Sequence, residues 1–138
     1  MHDVSRQLTV DELTELFSGR SRFVEKLARE KDPLGRARDV AHGLNDDEKA
    51  EALAAHPRIG ERSPEQRGDD PAALAELAEL NREYEERFGF RFVVFVNGRS
   101  RAEIVPELRR RLRNTRDQEL DTGLDALVSI AEDRWRRS

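Results

Sequence analysis

The chain contains no cysteine, which excludes a disulfide scaffold, a thiol nucleophile and any cysteine-based zinc site. Histidine is scarce, with three residues. Neither an HExxH pattern nor a two-histidine spacing suited to a ligand pair occurs. A phosphate-binding glycine loop and a GxSxG elbow are absent as well. The longest apolar stretch, Phe92-Val93-Val94-Phe95-Val96, is five residues, far short of the roughly 18 that a membrane span requires. No signal-peptide pattern opens the chain, so a cytoplasmic location is expected by elimination. Basic charge is not in excess either: 25 Lys and Arg stand against 29 Asp and Glu. A nucleic-acid surface would have to be local, around Arg109-Arg110-Arg111, and a solvated helix face is the simpler account of that run.

What is present suffices for a folded domain. Leu, Ile, Val and Phe make up 33 of 138 residues, about 24%, above the roughly 20% below which chains tend to disorder. The length suits one domain and leaves little room for a second core. Charged residues reach 39% against roughly 25% in typical soluble domains. The core must be economical, with long polar helix faces turned to water.

Helix punctuation is frequent. Thr9-Val10-Asp11-Glu12 is a capping box with Leu8 and Leu13 placed for a hydrophobic staple, and the helix should stop at Ser18-Gly19. A second helix begins near Ser21, buries Phe23, Val24 and Leu27, and ends before Asp32-Pro33. A shorter one follows Pro33, carrying Leu34, Ala37, Val40 and Ala41. Asn45 caps a fourth, with acids in its first turn where the helix dipole favours them. That helix ends by His56, because Pro57 disfavours the α conformation before it. Residues 58–70 read as loop. Asp70-Pro71 then opens a helix whose stripe is Leu74, Leu77, Leu80, Tyr84 and Phe88, stopped by Gly89.

Phe90 to Val96 is strand-like, but a lone strand has no partner for its ladder, so a buried extended connector is expected. Asn97-Gly98 turns the chain into a capping box at Ser100-Arg101-Ala102-Glu103. Pro106 must either kink the following helix or mark its true first turn. The last helix starts near Asn114-Thr115 and buries Leu120, Leu124, Leu127, Val128, Ala131 and Trp135. The expectation is an all-α, single compact domain of six to eight helices.

Three places could carry chemistry. His2 lies near the terminus, and His42 before Gly43 suits a helix C-cap. His56 differs, because it stands at a helix-to-loop corner ahead of a polar segment. A positioned imidazole is a natural general acid or base, and a structural or capping histidine is the competing account. Glu65-Gln66 offers a carboxylate able to orient an imidazole beside an amide able both to donate and to accept. Arg134, four residues after Ile130 and seven after Leu127, lies on the apolar side of the last helix. There it either snorkels to water or meets a buried anion.

The strings His56-Pro57-Arg58-Ile59-Gly60-Glu61, Leu80-Asn81-Arg82-Glu83-Tyr84-Glu85-Glu86-Arg87-Phe88-Gly89-Phe90, Gly98-Arg99-Ser100 and Leu108-Arg109-Arg110-Arg111-Leu112 together resemble the OHCU decarboxylase family. Those enzymes act on 2-oxo-4-hydroxy-4-carboxy-5-ureidoimidazoline, the last intermediate between urate and allantoin. The resemblance runs from about Leu8 to Trp135. It implies an all-α fold, a homodimer, no cofactor and a small-molecule substrate. By the same resemblance His56 and Glu65 would be catalytic, and Gln66 and Arg134 would bind substrate. The stretch from Gly60 to Glu65 is shorter than the family pattern, and Ser63 stands two residues before Glu65 rather than three. The alternatives are a catalytically inactive helical interaction module of the same fold and a small arginine-rich nucleic-acid binder.

Overall fold

A computed structural model describes residues 7–56 and 71–137. Among them are seven helices: α1 (Val10–Phe17), α2 (Arg22–Leu27), α3 (Pro33–His42), α4 (Asp46–Ala54), α5 (Pro71–Phe88), α6 (Arg101–Arg111) and α7 (Arg116–Arg137). The all-α expectation holds, and the described residues contain no strand. Nor do they include a helix long and apolar enough to cross a membrane. The expected caps form. Thr9, Asn45 and Ser100 each accept from the N3 backbone amide while the N3 glutamate reaches back, satisfying orphan donors at both ends of the box. Leu8 and Leu13 are both buried, as a hydrophobic staple requires. The Asp70 cap lies outside the described residues.

α7 is the axis of the molecule, packing against α1, α3 and α4, while α5 pairs with α6. One continuous apolar cluster takes residues from all seven helices, including Phe17, Phe23, Leu53, Leu77, Ile104 and Leu127. α4 is fixed from several sides. Lys49 reaches Asp121 on α7 at 2.8 Å, and the Arg22 backbone amide donates to Glu51 at 2.7 Å. That amide and the Arg22 guanidinium hold the Glu51 carboxyl below its usual range. Gly123 lets α4 and α7 approach closely, since a Cβ there would lie 3.0 Å from the Leu53 Cδ2.

α1 does stop at Ser18-Gly19, with Ser18 in the left-handed region (φ 62°) and Gly19 in close contact with Ala55. Other local expectations are corrected by packing. His42 does not cap α3. Gly43, the C-cap residue, stays right-handed, and His42 Nε2 lies 2.9 Å from Asp125 Oδ1 on α7. On α5, Leu74 is 39% exposed, whereas Ala73, Leu77, Asn81, Tyr84 and Phe88 are buried. The buried face is thus rotated from the Leu74–Leu80 stripe because α6 covers a neighbouring face. Pro106 sits inside α6. Pro106 and Ala102, whose carbonyl loses its helical donor, both face water, which limits the cost.

Residues 91–96 form the expected extended connector, with Phe92, Val93 and Val94 buried. Three of its carbonyls are bound by arginines. Arg111 Nη1 donates to the Val93 carbonyl at 2.8 Å, and Arg99 donates to those of Phe95 and Val96 at 2.7 and 3.1 Å. Arg111, from the run expected to be a solvated face, is buried. Its Nε donates to Glu119 at 2.8 Å, and its guanidinium lies 4.5 Å from the Phe92 ring centroid. Glu119, fully buried on α7, also accepts from Tyr84 Oη at 2.6 Å and Asn114 Nδ2 at 2.7 Å. Burial, and then the bond to Glu119, push the Tyr84 hydroxyl pKa upward. The phenol therefore remains a donor at any physiological pH.

Removing one partner of such a pair leaves an uncompensated buried charge. Arg111→Met is expected to cost about 3–5 kcal/mol in urea unfolding. Arg109→Met, at an exposed neighbour paired with Glu76, should stay within about 0.5 kcal/mol of wild type. Equal effects at the two positions would contradict the assignment of Arg111 as the buried member.

Candidate functional site

The end of α4 delivers His56. Its amide bonds the Leu53 carbonyl at 3.2 Å, one turn back, and Pro57 has no amide hydrogen with which to continue the helix. The turn after α1 lies directly against this end. A Cβ on Gly19 would stand 2.7 Å from the Ala55 carbonyl oxygen and 2.8 Å from the Ala55 Cβ, so only glycine permits the approach. This close approach sets the imidazole against the backbone of Phe17.

Arg134 reaches the same turn from α7. Its Nη1 donates to the Leu16 carbonyl at 3.0 Å and to the Ser18 Oγ. Both alternatives left by the sequence are thereby refined: the residue is exposed, yet its guanidinium is anchored at the C-terminus of α1, where a cation is favoured by the helix dipole. Arg91 arrives from the connector after α5. Its Nη1 donates to the His56 carbonyl at 2.9 Å. Sequence reasoning passed over Arg91, one of many arginines, because nothing local distinguishes it; only the path of the connector does.

The electrostatics follow from this arrangement. Burial, then the charges of Arg134 and Arg91, drive the His56 pKa from 6.5 down to about 4, while the Phe17 carbonyl favours the protonated ring and opposes them. The imidazole is neutral at physiological pH and keeps a lone pair for accepting a proton. His56 Nδ1 is buried without a hydrogen-bond partner among the described residues. Of the four residues singled out from the sequence, His56 and Arg134 meet at the α1 turn. Glu65 and Gln66 lie outside the described residues. Within those residues, no group of three or more His, Asp or Glu side chains is arranged to hold a metal ion.

Two outcomes are expected. Between pH 6.5 and about 4 the unfolded chain takes up a proton at His56 that the folded chain refuses. The stabilisation is complete above pH 6.5 and is lost as the pH falls toward 4, on the order of 3 kcal/mol by linkage. Urea unfolding at pH 7 and pH 4 should show this component in wild type and not in His56→Gln. Gly19→Ala should cost about 1–3 kcal/mol through overpacking against backbone, read by the same unfolding experiment. A neutral effect would show that the α4 end is not tightly held.

The OHCU decarboxylase family model matches residues 2–136. The chain is 32% identical to 2-oxo-4-hydroxy-4-carboxy-5-ureidoimidazoline decarboxylase of Haloferax volcanii over 130 residues, covering 86% of this chain and 67% of that protein. It is also 32% identical over 119 residues to the uric acid degradation bifunctional protein TTL of Arabidopsis thaliana, covering 73% of this chain. A similar protein, the uric acid degradation bifunctional protein of Bacillus sp. strain TB-90, is 28% identical over 105 residues and 67% of this chain. The matches span 37% and 21% of the length of these two bifunctional relatives. A crystal structure of OHCU decarboxylase in the presence of (S)-allantoin superposes with a TM-score of 0.78 at 29% identity, covering 91% of this chain and 96% of that one. A structure of (S)-allantoin synthase shares the fold, with a TM-score of 0.72 at 20% identity over 93% of this chain and 48% of the other. With this shared fold and a family model matched along nearly its whole length, the chain belongs to the OHCU decarboxylase family.

Proposed function

We propose that this protein is a carboxy-lyase that decarboxylates 2-oxo-4-hydroxy-4-carboxy-5-ureidoimidazoline to (S)-allantoin in urate degradation. The observation that carries the reading is a neutral, largely buried imidazole with the guanidinium groups of Arg134 and Arg91 as its cationic neighbours. That combination suits an anionic substrate whose reaction needs a base. Cations attract the carboxylate, and the same cations stop the imidazole from being protonated before the substrate arrives.

The chemistry of the substrate permits so small a device. Loss of carbon dioxide leaves an electron pair on the carbon that bore the carboxylate. The adjacent imine of the ring accepts that pair, so the protein contributes position, electrostatics and protons. In this reading His56 takes the proton of the substrate hydroxyl. The C–CO2 bond breaks, its electrons pass into the C=N unit, and an enediol-like intermediate forms. Proton delivery to one face of the neighbouring carbon then sets the (S) configuration.

Glu65 orients the imidazole in this scheme, a role that the partnerless Nδ1 of His56 supports because a buried ring nitrogen calls for a partner. Gln66 and Arg134 grip the ring and ureido groups. The cluster that joins all seven helices supports residues 1–138 acting as a single domain. Family membership supports a homodimer acting on a small molecule without a cofactor, and the cytoplasmic location expected by elimination from the sequence belongs to the same reading.

The test generates the substrate freshly from urate with urate oxidase and hydroxyisourate hydrolase and follows allantoin by circular dichroism. Spontaneous decay gives racemate, so an optical signal above the protein-free control is expected. Its absence would leave a helical interaction module. Positioned acid–base help is worth about 10²–10⁴-fold, and His56→Gln should lose that much in kcat while keeping its far-ultraviolet spectrum. Near-normal turnover would remove His56 from the reaction.

A further inference from the structure

We propose that Arg91 is a positioning residue for His56: it fastens the carbonyl at the end of α4 and supplies a cationic neighbour to the ring. The inference rests on the reading of His56 as the reacting base, and it adds a residue that neither the sequence nor the family resemblance singled out.

The end of α4 needs such a clamp. Helix C-termini leave carbonyls without intrahelical donors, and cations there are favourable. α4 carries three acids in its first turn and no basic residue in its last, so its own sequence offers no cation at that end. The proline that follows supplies no amide to close the turn. Arg91 fills the gap from the connector, half-buried, with Nη1 2.9 Å from the His56 carbonyl oxygen.

The clamp is itself held. Two residues on, the Val93 carbonyl is bound by Arg111, which is locked to buried Glu119. The position of His56 is thus referred through Arg91, Val93 and Arg111 to α7, the helix that also carries Arg134. Among the described residues, the charged groups acting on the ring are Arg134 from α7 and Arg91 from the connector, while α1 presents the Phe17 carbonyl, which acts in the opposite sense. Arg91 therefore acts twice, through the backbone as a donor and through space as a charge. A purely structural arginine would act only in the first way.

The experiment compares Arg91→Gln, Arg91→Met and Arg91→Lys with wild type in two arms. In the first, the His56 imidazole is titrated by NMR, its signal assigned with His56→Gln. The Gln and Met variants should titrate at higher pH than wild type, and Lys, which keeps the charge, close to wild type. In the second, kcat should fall about tenfold in Gln and Met, as expected for slight misplacement of a reacting group, with KM within about twofold and most of kcat recovered in Lys.

If the Gln and Met variants titrate at the wild-type pH, the proposal is overturned, even if both are less stable. Should neither fold, Arg134→Gln decides: with that guanidinium gone, the His56 midpoint should still rise with added salt as the Arg91 charge is screened, and a midpoint indifferent to salt in that variant overturns the proposal. A wild-type protein with no turnover defeats the proposed function and leaves the titration arm standing. Normal turnover with an unmoved His56 midpoint in Arg91→Gln defeats the role of Arg91 alone.

Discussion

The fully buried Glu119 carboxylate is the constraint on which the rest of the structure turns. Taking a carboxylate out of water costs several kcal/mol even after relaxation, so α7 can bury it only where donors converge. Three do: Tyr84 from α5, Arg111 from α6 and Asn114 from the turn before α7. Satisfying one anion therefore fixes the α5–α6 pair against the axis of the molecule. Arg111 also donates to the Val93 carbonyl and lies over the face of the Phe92 ring, which sets the path of the connector. Arg91 is carried to the end of α4 as a consequence.

This explains a compositional oddity, an acidic protein in which arginine far outnumbers lysine. Arg91, Arg99, Arg111, Arg116 and Arg134 each donate to a main-chain carbonyl of a distant or irregular segment. A connector that is extended without a partner strand leaves carbonyls that must find donors. A planar guanidinium, with several fixed N–H groups, serves a carbonyl and a carboxylate at once, which an ammonium does less well. Arg116 illustrates the point, bonding the Phe88 carbonyl at the end of α5 and the Asp46 carboxylate at the start of α4.

At the site the same residue type acts on a titrating group. Partial burial and then the two nearby guanidinium groups oppose protonation of the imidazole, so His56 stays neutral over a wide pH range. In the proposed reaction, an arriving carboxylate would offset those charges and restore basicity. The tight contact between Gly19 and Ala55 makes the geometry rigid enough for this arrangement to be reproducible.

Much of this was legible in the chain itself. Capping boxes at Thr9 and Ser100, the cap at Asn45, the stop at Gly89 and the proline after His56 are local chemistry, decided within a turn of helix, so most helix starts and stops followed from residue order, although α2 ends at Leu27, short of Asp32-Pro33. The extended connector was legible too, since apolar residues with no second strand leave no other solution. His56 stood out because a proline and a polar segment follow it. Hidden from residue order was everything that depends on which helix face meets which. The burial of Ala73 in place of Leu74, the pairing of His42 with Asp125, the separation of Arg111 from its exposed neighbours, and the arrival of Arg91 at His56 were all settled by long-range packing. Local patterning specifies where a helix begins and ends; the desolvation of a single carboxylate and the close approach of two turns specify how the helices are set around α7, and only the folded chain contains those energies.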